Sequence, residues 1–243
     1  MCIKLSRHLN DIIAFLMRTA SIFVKKKLDK NTDHFLDNSQ IHYLKKVLKL
    51  KKDENVYVQD GEGNRCICTY DGNASLKIID LETRKRNFQI TLLVPLLKKN
   101  QLEFLLQKSV EIGVKNICLY IAEKSKHSFN YEKEKKRKDR YEDIIKSAFL
   151  QSENFYLPNL SIVSSIAGFN FNTFKKIIVL DQFSETFLNK KEPCDLLVSG
   201  GEYGFDDTEI KIISKNRASS LNLGENILRA ETAPLVALSR LNF

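Results

Sequence analysis

The sequence predicts an α/β protein in two parts, a small β-barrel followed by a larger domain built on a mostly parallel sheet. Three observations predict it. From Arg18 to about Arg86, short β-prone runs are separated by tight glycine turns, "GEGN" and "DGNA", the pattern of a small barrel. From Phe88 onward, apolar strands alternate with amphipathic helices, which implies parallel pairing through crossovers. Between them "ETRKRN", Glu82 to Asn87, reads as a charged linker. The boundaries follow as an N-terminal extension over 1–17, the barrel over 18–86 and the α/β domain over 87–243.

In the first part "ASIFV", "NVYVQD", "RCICTY" and "SLKIIDL" read as strands. "NSQIHYLKKVLKL" reads as a short helix capped by Asn38 or Ser39, with Ile41, Leu44 and Leu48 on one stripe. In the second part "FQITLLVPLL", "NICLYIA", "KKIIVLD", "CDLLVSGG" and "ASSLNLG" read as strands. "QLEFLLQKSVEIG" is an amphipathic helix ended by Gly113. "YEKEKKRKDRYEDIIKSAFLQ" reads as one long helix with a charged first half, "DDTEIKIISKN" as another, and the chain ends in an apolar helix.

Composition narrows the function. A hydrophobic fraction of 43% supports a packed core and excludes global disorder. A net charge of +9 suits a polyanionic partner: RNA, DNA or an anionic membrane surface. The 5 cysteines (Cys2, Cys66, Cys68, Cys118, Cys194) are odd in number and scattered. That argues against a disulfide framework and for a reducing, cytoplasmic setting. Cys66 and Cys68 fall on one strand face, and no second pair at metal spacing accompanies them, so no metal is expected. The start, "MCIKLSRHLNDIIAFLM", is too short and too interrupted at Asp11 for a membrane span, and it has no cleavage site. Met17 then opens "MRTASIFVKKKL" like a natural start.

Ligands of parallel α/β sheets bind beyond the carboxyl ends of the strands, where glycine turns admit the ligand. Two such turns stand close together, "VSGGEYGFDD" (Val198 to Asp207) and "LNLGENILRAET" (Leu221 to Thr232). The first is neither a dinucleotide fingerprint nor a P-loop. Alone, each fits an ordinary strand-to-helix turn.

Their combination is more specific. "GGEYGF" followed by "LGENILRAETA" resembles the paired loops of the RsmE family of SPOUT-class RNA methyltransferases, whose usual pattern is Gly-Pro-Glu-Gly-Gly-Phe and then Leu-Gly-x-x-Ile-Leu-Arg-x-Glu-Thr-Ala. "LEFLLQKSVEIGV", "AEKSKHSF" and "FLQSENFYLP" are similar to further family segments, so the resemblance runs from about Arg18 to the C-terminus. It implies a PUA-like barrel before a SPOUT domain in which the C-terminal segment threads an earlier loop into a trefoil knot, a rare exception to unthreaded chains. It also implies S-adenosyl-L-methionine as cofactor, a homodimer, and methylation of N3 of a uridine in 16S ribosomal RNA, at the position equivalent to 1498. The cofactor wall would comprise Leu180, Gly200, Glu202, Gly204, Leu223, Gly224, Leu228, Thr232 and Ala233.

The chemistry asks for more. Uracil N3 holds its proton at neutral pH, so transfer needs a base, a cation for the developing anion and in-line positioning. Arg229 is the best cation, since a guanidinium can donate to two oxygens, and Arg18 is a second. No histidine stands out as base. Glu231 and Glu202 are the carboxylate candidates, and Glu231 equally suits the last helix's N-terminus through the dipole. Lys45, Lys46, Lys49, Lys51 and Lys52, with Arg84, Lys85 and Arg86, would meet RNA phosphates. The run Lys133 to Arg140 reads as a solvated face or a second RNA track.

The chain departs from the family pattern at Gly201, where proline is usual, and at Tyr203, where glycine is usual. It also departs at Leu150, Asn226 and Ala230. A positive φ at Tyr203 would strain it. Two other functions compete. A SPOUT ribose 2′-O-methyltransferase would carry an Asn-x-x-x-Arg element, which does not occur after Phe88. A non-catalytic ribosome-assembly protein would have lost cofactor binding.

Overall fold

The computed structural model describes residues 20–29 and 34–242. The extension expected over 1–17, and Arg18, lie outside them. The described chain divides between Lys85 and Arg86 into two compact units.

The first unit is a five-stranded sheet in the order β1 (Ala20–Phe23), β3 (Asn55–Gln59), β4 (Asn64–Tyr70), β5 (Ser75–Thr83), β2 (His34–Phe35). β1 runs parallel to β3, and the other pairings are antiparallel. Alternation decides which face is inside. Cys66, Cys68 and Tyr70 on β4 join Val56, Val58, Leu44 and Leu76 in one core. The two cysteines therefore share a buried face, as their spacing predicts. β5 continues through Glu82, which pairs with Arg65 at 2.7 Å, so Glu82 belongs to the sheet and not to the linker. Arg65 in turn lies over the Tyr57 ring.

The basic helix starts one residue earlier than the sequence suggests. Asp37, not Asn38 or Ser39, caps α1 (Asn38–His42): its carboxylate accepts from the Gln40 amide at 2.8 Å, and Gln40 closes a capping box. A π turn over Tyr43–Val47 follows, closed by Leu48 N donating to Tyr43 O at 3.0 Å. The widened turn moves Leu48 off the stripe, so Leu44 is buried while Leu48 is exposed. Lys45, Lys46, Lys49, Lys51 and Lys52 are all exposed.

The second unit is a six-stranded sheet, parallel throughout, in the order β11 (Ser219–Leu221), β9 (Ile177–Leu180), β10 (Leu196–Val198), β6 (Thr91–Pro95), β7 (Asn116–Tyr120), β8 (Asn159–Val163). Central β6 and β10 are buried at every position, as strands covered on both faces must be. β8 was not anticipated; "NLSIV" at the edge mixes Asn and Ser with apolar residues and lacks the continuous run of the interior strands. Its helices are α2 (Lys99–Ile112), α3 (Tyr131–Lys136), α4 (Lys138–Gln151), α5 (Asp207–Lys215) and α6 (Thr232–Asn242). α2 ends at Gly113, whose φ of 101° is left-handed. The single helix expected over 131–151 is broken at Arg137. Buried Glu134 gathers the Tyr141 hydroxyl at 2.6 Å and the Arg137 guanidinium at 2.8 Å across the break. Burial, reinforced by that hydrogen bond, pushes the Tyr141 hydroxyl up to about 12.

The C-terminal segment is laced to the loop between β9 and β10. The Asn222 amide donates to Thr186 O, and Asn222 O accepts from the Leu188 amide, both at 2.8 Å. The Asn222 side-chain amide donates to Gln182 O at 3.0 Å and Ser184 O at 3.3 Å. Further along, Arg240 O accepts from the Lys191 amide at 3.0 Å, and Asn242 donates to Ile112 O at the end of α2. Asn222→Ala removes the side-chain half of this lacing. It is expected to lower stability by about 0.5–1.5 kcal/mol, the net worth of hydrogen bonds whose partners keep access to water, read as a lower urea midpoint at unchanged slope.

Candidate functional site

The two glycine loops expected to hold the cofactor lie beyond the carboxyl ends of β10 and β11, with Leu180 at the end of β9. β10 is held into the sheet by Ser199, whose amide donates to Leu93 O at 3.0 Å and whose carbonyl accepts from the Tyr120 hydroxyl at 3.0 Å. The next turn is tight: Gly204 N donates to Gly201 O at 3.0 Å, which puts Glu202 and Tyr203 at its tip. The left-handed residue is Gly204, at φ 66°, and Tyr203 is not among the positive-φ residues. The strain expected at Tyr203 is absent because the turn places it on its neighbour. Gly200 is needed for a different reason: a Cβ there would stand 3.3 Å from the Phe205 ring and 3.4 Å from the Gly204 backbone. A Cβ at Gly201 would meet only ordinary contacts, with Ala122 and Pro95.

The second loop runs from Leu223 to Glu231. Gly224 sits at φ 145°, and its amide donates to the Asn222 side chain at 3.2 Å. Arg229 O accepts from the amides of Thr232 and Ala233, both at 2.9 Å, and so starts α6. The Arg229 side chain is 82% exposed. Glu231 is 7% exposed. Its carboxylate accepts from Gln101 of α2 at 3.3 Å and stands 3.9 Å from the Arg229 guanidinium. Glu231 thus ties the loop to α2 and faces Arg229. Leu180, Leu223, Leu228, Thr232 and Ala233 are half-buried around this loop, while Glu202 and Gly204 stand apart from them at the tip of the first.

A small open cleft borders the same turn, walled by Leu96 to Lys98, by Ala122, Lys124, Ser125, Ser128 and Phe129, and by Gly201 to Gly204. Lys98 reaches Glu202 at 3.7 Å, and Lys124 Nζ donates to Tyr203 O at 2.9 Å. The segment Glu123–Ser128, a 3₁₀ turn, is fixed by Glu209 of α5, which accepts from the Glu123 amide at 3.1 Å and the Asp206 amide at 3.0 Å. Burial raises the Glu209 carboxyl above its ordinary 4.5, and those amides pull it partly back. Among the described residues no group of three or more His, Cys, Asp or Glu gathers to hold a metal.

Of the remaining candidates, Arg84 is paired with Glu82 at 2.7 Å and Lys85 is exposed. Arg86 is taken up structurally: it lies 4.4 Å over the Tyr156 ring and reaches Lys115 O. Sequence reasoning missed Gln101, Lys98, Lys124 and Glu209. Gln101 meets Glu231 across 130 residues of chain, which no local pattern announces.

A parallel sheet laced by its own C-terminus, with two glycine loops gathered at one end, defines a knotted RNA methyltransferase once its relatives are considered. Residues 84–242 match the RNA methyltransferase domain, and residues 36–79 match the RNA methyltransferase PUA domain. Ribosomal RNA small subunit methyltransferase E of Buchnera aphidicola (subsp. Acyrthosiphon pisum) is 31% identical over 90% of this chain and 91% of its own length. The Bacillus subtilis protein of the same name is 24% identical over 90% and 93%. A Legionella pneumophila protein described as a methyltransferase, solved with its cofactor SAM, superposes with a TM-score of 0.80 at 25% identity, covering 93% of this chain and 97% of that one. The chain belongs to the ribosomal RNA small subunit methyltransferase E family.

The buried Glu209 carboxyl makes a testable link to pH. A raised folded value means that the folded state binds more protons than the unfolded chain just above 4.5. Its contribution is therefore full below 4.5 and lost as pH rises through the raised value. Glu209→Gln is expected to flatten this fall in a urea-midpoint series taken upward from pH 4.

Proposed function

We propose that this chain transfers a methyl group from S-adenosyl-L-methionine to N3 of the uridine equivalent to position 1498 of 16S ribosomal RNA, acting on the small subunit in the cytoplasm. The observation that carries the reading is the placement of two glycine loops beyond the carboxyl ends of β10 and β11, the parallel strands on either side of β9, one loop laced in place by Asn222. The residues suit the cofactor. Half-buried Leu180, Leu223 and Leu228 offer an apolar wall. Gly204 and Gly224 hold left-handed backbone, and a Cβ on either would meet nothing within 4 Å, so there is open space beside them. Gly200, Thr232 and Ala233 would complete the wall through backbone groups. Bound there, the cofactor supplies an electrophilic methyl on sulfur.

The chain's own residues would do the rest. The exposed Arg229 guanidinium is free to reach the uracil oxygens and hold the charge that develops when the N3 proton leaves. Glu231, fixed by Gln101, would orient that guanidinium, a positioning role. Glu202 at the turn tip, 3.7 Å from Lys98, is the solvent-reachable carboxylate that would accept the N3 proton. The exposed lysines of the first unit would meet RNA phosphates.

A homodimer completes the reading. Phe104 on α2, Phe183 and Phe187 in the β9–β10 loop and Ile227 in the threaded loop are exposed, Phe183 by 83% and Ile227 by 81%. Side chains this apolar and this exposed are the ones a second copy would cover. The Cys118 thiol, buried and in no disulfide, suits a reducing compartment.

Arg229→Ala is expected to lower kcat for methyl transfer about a hundredfold or more, with cofactor affinity by calorimetry unchanged. Arg229→Lys should recover little, because the planar fork is lost. A parental rate in Arg229→Ala would remove the assigned role. Ile227→Asp is expected to convert a dimer to a monomer in sedimentation. A parent already monomeric would contradict the dimer.

A further inference from the structure

The cleft walled by Lys98, Lys124, Phe129 and Tyr203 shares with the proposed cofactor wall only the Gly201–Gly204 turn, since residues 222–233 contribute nothing to its lining. Its chemistry is that of a single-stranded nucleic-acid site. Tyr203 presents a phenol ring that is 66% exposed, and half-buried Phe129 supplies a second ring. Exposed aromatic rings on a rigid support stack bases whatever their identity. The Tyr203 support is rigid: Gly204 N closes the turn beneath it, and Lys124 Nζ clamps the Tyr203 carbonyl. Lys98 is 79% exposed and held only by a long 3.7 Å pair to Glu202, so it can turn to a phosphate. Ser125 and Ser128 add hydroxyls. The cleft opens to solvent, so a base reaches the exposed Tyr203 ring directly from outside.

We infer that this cleft binds one unpaired nucleotide of the RNA substrate, its base stacked on Tyr203 and its phosphate met by Lys98. The turn shared with the proposed cofactor site would bring that nucleotide's strand past the reacting methyl. The inference rests on the proposed RNA substrate.

Its test uses the full chain and a single-stranded oligoribonucleotide carrying 5-iodouracil, a base that photocrosslinks to stacked aromatic rings. The expected result is a crosslink mapped by mass spectrometry to Tyr203 or Phe129. Tyr203→Ala should weaken RNA binding roughly ten- to a hundredfold. Tyr203→Phe should restore it, because stacking lives on the ring. Lys98→Gln should reduce the salt dependence by about one phosphate contact. Cofactor affinity should stay within twofold in every variant. Parental RNA affinity in Tyr203→Ala, or a parallel loss of cofactor affinity, would overturn the inference while leaving the methyltransferase reading intact. Failure of the unaltered protein to bind or methylate any RNA would overturn both.

Discussion

Asn222 is the hinge of the structure in the energetic sense. Its amide and carbonyl bridge Thr186 and Leu188, and its side chain reaches Gln182, Ser184 and Gly224. A C-terminal helix docked only by apolar contacts could shift or fray at small cost. Here the segment entering α6 is bonded to a loop that precedes it by some forty residues. The loop carrying Gly224, Arg229 and Glu231 is thereby set against the β9–β10 loop before any ligand arrives. Preorganisation of this kind lowers the ordering cost that binding must overcome.

That constraint explains a division of labour between two neighbouring loops. The threaded loop combines a left-handed glycine, three half-buried apolar positions and a single exposed guanidinium. The β10 turn is shorter and points its tip outward, with Glu202 and Tyr203 facing the cleft over the ends of β6 and β7. Gln101 and Glu209 support one loop each from a helix behind it. Neither need touch a ligand, yet each fixes the geometry of residues that could.

The fold was legible where periodicity and punctuation are strong. Parallel strands appeared as apolar runs, and Gly113 ended its helix as expected. The helix break at Arg137 was hidden because it depends on buried Glu134 collecting partners from both sides, a tertiary effect in a stretch of uniform charge. The π turn after His42 was hidden likewise, since one extra residue in a turn leaves the composition unchanged. Among site residues, the glycines and the Arg229–Glu231 pair could be named from their motif. The roles of Gln101, Lys124 and Glu209 could not, because each acts through a contact between segments distant in sequence. Arg86 shows the same limit: its charge suggests RNA, and its place over the Tyr156 ring is a contact across the fold that the sequence does not announce.

The account stands or falls on the atom that receives the methyl group. Small subunits from a strain lacking the modification, incubated with this protein and labelled S-adenosyl-L-methionine, can be digested and mapped by mass spectrometry. The account predicts label on N3 of a single uridine in 16S ribosomal RNA. Label on a ribose hydroxyl, or none on RNA that the protein demonstrably binds, would contradict it.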